Sequence, residues 1–234
     1  MDIFSLLAFG PDGWGDELLA GVKITLALAF VTAPLALVAG FLLALARRSG
    51  NPLLRIPATV FATVFKGLPE LITLFIVYYG VAMLLRWFVA LFTDAYVTMP
   101  AFLSGVVALG AVSASFASEV FMGALGGVPR GQLEAADALG LGRWATMRKV
   151  MLPQVMRLAL PGLSNLWLVL LKDTALVSVL ALPDLLRRTF IAVGATKEPF
   201  FFFAVAMAIY FVISMISSGV LALLEARYSR AYAR

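Results

Sequence analysis

The feature that most restricts this chain is a run from Leu18 to Ala46 that is apolar except for Lys23 and, as an interruption of the backbone, Pro34. At 1.5 Å per residue such a run crosses about 30 Å of hydrocarbon. Inside a bilayer the backbone must satisfy its own hydrogen bonds, so a run of this kind is a helix. It has company. Hydrophobic residues make up 62% of the 234 and charged residues 13%, and mean hydropathy is +1.00. A soluble domain of this size has no use for so much apolar surface, so the chain reads as an all-α integral membrane protein.

Further spans follow at about 57–85, 100–125, 155–182 and 200–224, with the first at 18–46. That makes five within one domain over 1–234, because no repeat or low-complexity linker divides it. The second is the least regular. Pro57 lies in it, and Lys66-Gly67-Leu68-Pro69-Glu70 interrupts it, so it reads either as one helix bent at Gly67–Pro69 or as a surface helix followed by a shorter span. Residues 1–17 carry Asp2, Asp12, Asp16 and Glu17 and no Lys or Arg, and they lack the basic start and small-residue cleavage site of a secretory signal. Arg47, Arg48 and Arg55 follow the first span, and Arg227, Arg230 and Arg234 follow the last. Positive charge favours the cytoplasmic side, which puts the N-terminus outside and the C-terminus inside. Arg187, Arg188 and Lys197 then fall outside, against the trend, while the heavily cationic stretch from Arg130 to Arg157 lies inside. Trp87, Phe88, Phe92 and Tyr96, in the outer stretch Arg86–Met99, read as an interfacial aromatic belt. The pI near 9.7 is accounted for by this topology, and no nucleic-acid partner is expected.

The longest polar interval is Gly131–Pro153, within a loop spanning about 128–153. Glu134, Ala135 and Ala136 favour helix, and Gly140 and Gly142 permit a sharp change of direction. Beyond them Trp144, Met147 and Met151 recur at helical spacing as one apolar face opposite Arg143, Arg148 and Lys149. The expected form is two short helices meeting at a glycine elbow on the membrane surface. Such a piece can dock a partner, or it can simply lie on the bilayer.

These residues resemble a known family. Glu134-Ala135-Ala136, then Gly140, Val150 and Leu152-Pro153, are similar to the EAA loop of the membrane subunits of ABC importers, with Val150 where isoleucine is commoner. The resemblance extends to Phe65–Leu71, similar to the Arg-Gly-x-Pro stretch of amino-acid permeases but with Lys66 for arginine. It extends also to Ala117–Gly123, where Met122 stands at a position often held by arginine, and so leaves any role of that arginine in doubt. Lys172–Leu176 and Thr196–Pro199 resemble the branch that handles histidine, lysine, arginine and ornithine, or opines. The resemblance implies a type I importer permease fold, with Glu134, Ala135, Ala136, Gly140, Leu152 and Pro153 on a cytoplasmic coupling helix. It further implies a separate ATPase dimer, a second permease subunit (identical or homologous), a periplasmic substrate-binding protein, and residence in the bacterial inner membrane.

Charged groups in membrane spans are costly and usually face a bundle interior. Glu70, Glu119 and Asp173, with Thr73, Ser113 and Ser115, are therefore the candidate lining of a substrate path. Each has a purely structural alternative. Glu119 can serve a backbone group or Arg130, Glu70 can pair with Lys66 one turn away, and Asp173 with its neighbour Lys172; the hydroxyls can be packing residues. The absence of Cys and His removes thiol nucleophiles, imidazole bases and soft metal sites, so no catalytic or metal-binding residues are expected. No G-x-x-x-x-G-K-[ST] motif occurs, so ATP and its Mg²⁺ belong on a partner and this chain binds no cofactor. A secondary transporter is the weaker reading, since five spans without internal repeats are few. A membrane enzyme lacks a nucleophile–base pair. The reading is an importer permease for polar, chiefly basic, amino acids, or failing that for another small polar solute.

Overall fold

The computed structural model describes residues 3–11, 13–92 and 99–230. Asp2, Asp12, Tyr96 and Arg234, invoked above, lie outside the described residues. Among the described residues every regular element is a helix. The helices are α1 (Gly15–Arg47), α2 (Pro52–Gly67), α3 (Glu70–Ala90), α4 (Ala101–Gly126), α5 (Arg130–Ala138), α6 (Arg143–Thr146), α7 (Leu152–Asp173), α8 (Leu185–Thr196) and α9 (Pro199–Arg230). Short 3₁₀ segments occupy Ile3–Leu7 and Thr174–Leu180, and a π turn spans Met147–Met151.

Among the described residues five helical stretches are long and apolar enough to cross a membrane: Gly15–Arg47, Glu70–Ala90, Ala101–Gly126, Arg143–Leu180 and Pro199–Tyr228. The expected second span differs from what is seen. It does not run as one bent helix from Pro57; α2 ends at Gly67 and α3 begins at Glu70. Pro69, at φ −57° and ψ 132°, is the cap. Its ring also disfavours helical backbone at Leu68, so the helix stops rather than bends. At its other end α3 runs on to Ala90, so Arg86, Trp87 and Phe88 are helical rather than part of a loop.

The chain packs as two compact units interleaved in sequence. Unit 1 comprises Met1–Pro34, Leu68–Val112 and Val169–Met215; unit 2 comprises Leu35–Gly67, Ser113–Leu168 and Ile216–Arg234. No linker marks this division, but two of its boundaries fall at Pro34 within α1 and at the Gly67–Leu68 break.

In unit 1, Leu28, Leu74, Val77, Leu109, Leu170 and Val177 form one apolar core, and Leu18, Leu185, Ala192 and Phe202 a second. In unit 2 the core is Ala44, Ala117, Phe121, Val155, Ala159 and Leu163. Close approach there depends on a small residue. A Cβ on Gly40 would come within 2.5 Å of the Ala117 side chain and 2.9 Å of the Ala114 carbonyl. By contrast α9 is apolar on every side and little of it is covered by this chain; Phe200, Met207 and Phe211 are among its exposed residues. A helix of that kind is made for lipid or for a neighbouring subunit.

Candidate functional site

The polar hairpin of unit 2 is built by local backbone chemistry. Helix α5 ends in a Schellman motif: Gly140 N donates to Asp137 O at 2.9 Å, and Leu141 N to Ala136 O at 3.0 Å. The motif needs a left-handed residue between them, and Gly140 supplies it at φ +70°. Gly142, in extended backbone, then caps α6, and Thr146 Oγ1 donates back to Leu141 O. Pro153 cannot donate to the carbonyl four residues before it, and the chain enters α7 through the wider turn at Met147–Met151.

Of the expected coupling residues, Glu134 and Ala135 are exposed and Ala136 is buried. Leu152 and Pro153 are partly buried at the start of α7. The expected single face of Trp144, Met147 and Met151 does not form. Trp144 is 76% exposed, whereas Met151 packs on the unit 2 core. A face read at 3.6 residues per turn loses register across a π turn. The outward apolar residues of the hairpin are instead Leu139 and Trp144.

The acids separate into two groups. In unit 2, Glu119 on α4 accepts from two cations, Arg47 of α1 (Nη2 to Oε1, 2.9 Å) and Lys66 at the end of α2. Arg47 Nη1 also donates to Ser118 Oγ at 2.9 Å, and Ser118 in turn donates to Ser115 O at 2.8 Å. Neither a backbone partner nor Arg130 is the one Glu119 uses. Ser115 is buried and Ser113 partly buried on the same helix.

In unit 1, Glu70 opens α3 and Asp173 closes α7, and their carboxyls lie within hydrogen-bonding reach of each other. Lys66 is engaged with Glu119. Lys172 beside Asp173 is exposed. Among the described residues no salt bridge ties Glu70 or Asp173 to a cation. Thr73, one turn along α3 from Glu70, is 2% exposed, and its Oγ1 has no hydrogen-bond partner.

Two features escaped the sequence. Arg47 was read only as a topological charge, yet it supplies two of the contacts that hold the Glu119 cluster. Asp184 lies in the stretch between the fourth and fifth expected spans. It is in fact fully buried at the N-cap of α8, with Oδ1 accepting from Arg187 N at 3.0 Å. Asp184 just before an apolar helical run is a legible cap signal. Burial pushes its carboxyl up to about 6, against backbone hydrogen bonds that pull it down. Nearby, Arg188 pairs with Glu17, which neutralises one of the cations that ran against the charge rule.

Comparisons with known proteins agree with this architecture. Residues 36–230 match the model of a family described as binding-protein-dependent transport system inner membrane component. The octopine transport system permease OccQ of Rhizobium meliloti is 38% identical over 235 residues, covering 100% of this chain and 99% of that protein. The histidine/lysine/arginine/ornithine permease HisQ of Escherichia coli is 36% identical over 217 residues, covering 93% and 95%. A crystal structure of an amino acid ABC transporter with histidines superposes with a TM-score of 0.79 at 31% identity, over 92% of this chain and 95% of the other. The resemblance read from a few short motifs therefore holds along the whole chain.

Proposed function

This chain belongs to the binding-protein-dependent transport system inner membrane components, and on that premise we propose that it is the permease subunit of an ATP-driven importer of basic amino acids or opines. ATP and Mg²⁺ are held by a separate ATPase dimer, and this chain binds no cofactor and catalyses no reaction itself. A periplasmic binding protein delivers substrate, and a second permease subunit, identical or homologous, completes the path. The N-terminus lies in the periplasm and the C-terminus in the cytoplasm, as an odd number of spans requires. Reporter fusions at the two ends test that: a cytoplasmic signal from both would refute the count of five.

The observation that carries the substrate class is the meeting of Glu70 and Asp173. Two carboxyls at that range cannot both ionise without repulsion, so an ammonium or guanidinium group that stabilises both charges can replace a shared proton, and the pair is a seat for such a group. Thr73 Oγ1, buried and unpartnered one turn away, supplies a donor or acceptor for the polar remainder of the substrate. Selectivity between arginine, histidine, ornithine and opines is set chiefly by the binding protein. Uptake of labelled arginine by the reconstituted complex is the test. Glu70→Gln and Asp173→Asn keep shape and remove charge, and each is expected to lower uptake about tenfold, roughly the worth of one charge-assisted hydrogen bond. Normal uptake in both variants would reject the cationic-substrate reading.

The coupling role of Glu134–Gly140 is supported by the elbow. At φ +70° a β-branched residue is strained by about 1–2 kcal/mol, while nothing in this chain lies within 4 Å of a Cβ placed there. Gly140→Val should therefore insert normally yet lose binding-protein-stimulated ATPase activity. Stimulation at the wild-type level would show that the loop does not couple.

A further inference from the structure

In unit 2 a cavity of about 710 Å³ opens beside the hairpin, walled by the Gly127–Pro129 connector, α5, the π turn and α7. Its polar lining is Lys149, Arg157, Gln132 and Gln154, and its apolar lining includes Leu158 and Pro161. Among the described residues no Asp or Glu lines it. The cations and the carboxamides are held by helices rather than by a loose loop. Gln154 Nε2 donates to Val150 O at 2.9 Å, which anchors that side chain on the cavity wall. Pro153, Arg157 and Pro161 recur every four residues along α7, so one stripe of the helix forms the wall. On a regular α-helix Lys149 and Arg157 would stand ~80° apart, and the π turn at Met147–Met151 takes up part of that angle.

The cavity and the outward apolar face of the hairpin are different surfaces, although Pro153 of the coupling set lies on the cavity wall. Gln132 lies one turn before Ala136, the buried residue of α5, whereas the exposed apolar residues are Leu139 and Trp144. With the hairpin on the cytoplasmic side, the cavity sits where α7 enters the bilayer. On that topology the headgroups of the inner leaflet would face its cationic part, and the acyl chains would face Leu158 and Pro161.

We infer that this cavity binds the phosphate diester of an anionic phospholipid of the cytoplasmic leaflet, with Lys149 and Arg157 as its charge partners. Two cations and two amide donors suit a phosphate oxygen cluster, and a basic pocket between helices at the cytoplasmic face is a setting in which such headgroups bind. Free inorganic phosphate offers the same chemistry without the acyl chains, so both sources enter the test.

The experiment uses the whole importer, solubilised with its partner subunits, and native mass spectrometry. Phosphatidylglycerol, phosphatidylcholine and inorganic phosphate are titrated separately against wild type, the Lys149→Gln/Arg157→Gln double variant, and the charge-keeping Lys149→Arg/Arg157→Lys variant. The expected result is retention of phosphatidylglycerol over phosphatidylcholine by wild type and by the charge-keeping variant. The double Gln variant should bind phosphatidylglycerol about thirtyfold more weakly, the worth of two interfacial cations. Equal retention of the two lipids by wild type would overturn the assignment. So would undiminished phosphatidylglycerol binding by the Gln variant when the complex is intact. Displacement of phosphatidylglycerol by inorganic phosphate would overturn it in favour of the soluble ligand.

Discussion

Glu119 sits between two cations, Arg47 and Lys66, whereas Glu70 and Asp173 face one another. All three acids belong to apolar helices, where an isolated charge is costly. The first is satisfied within the folded chain: its partners come from α1 and α2, and Ser118 fixes the arginine. Among the described residues no salt bridge ties the second pair to a cation. A satisfied cluster stabilises a fold, while an unsatisfied one costs stability and is worth keeping only for what it binds. The same residue type thus serves packing in one place and, on the function proposed above, recognition in the other, and the neighbours decide which.

The contrast can be broken most strongly at Glu119. Glu119→Lys puts three cations together and should prevent accumulation of the folded protein. Glu119→Gln leaves two cations without their acid. Because the side chains are partly exposed, the expected loss is about 2 kcal/mol, between the values for exposed and buried pairs. Thermal unfolding of the purified complex measures it. A variant as stable as wild type would mean that the cluster is not structural.

At Glu70 the sign should reverse. Removing one of two facing carboxyls removes what repulsion a shared proton leaves between them, so Glu70→Gln is expected to gain about 1 kcal/mol in stability. It should do so while losing arginine uptake. Stability gained with transport lost distinguishes a recognition pair from a packing cluster. Stability lost in both variants would erase the distinction.

The mildest test concerns Asp184, a buried acid held by backbone donors rather than by cations. Its carboxyl, ordinarily near 3.8, is raised to about 6 in the fold. The folded state therefore holds the extra proton between about pH 4 and 6. The associated stability is present at the acid end of that window and lost as pH rises through about 6. The change attributable to this group is about 2 kcal/mol, reduced by residual hydration. Comparing unfolding at pH 4 and pH 7 reads it, and Asp184→Asn, which keeps a capping oxygen, should flatten the difference.

Much of this molecule is decided locally, and that part was legible in the sequence. The five apolar stretches follow from hydropathy and length, because a backbone in lipid has few ways to satisfy itself. The elbow follows from a helix former run ending in glycine, and of the two glycines read there Gly140 takes the positive φ while Gly142 is extended. The break before Glu70 was visible in Gly67-Leu68-Pro69, although whether the helix bent or stopped was not, since both satisfy the proline. The register of Trp144 was misjudged because a π turn changes the period that the face was read with.

Sequence alone also established that Glu70, Glu119 and Asp173 are charges in an apolar setting. It could not choose their partners. Lys66 stands four residues from Glu70 yet pairs with Glu119, and Asp173 stands beside Lys172 yet meets Glu70, more than one hundred positions away. Electrostatic pairing depends on distance in space and on the local dielectric, and the packing of helices far apart in the chain sets both. For the same reason Asp184 could be foreseen as a cap but not as a buried acid with a displaced pKa, since burial belongs to the assembled unit and not to the helix it begins.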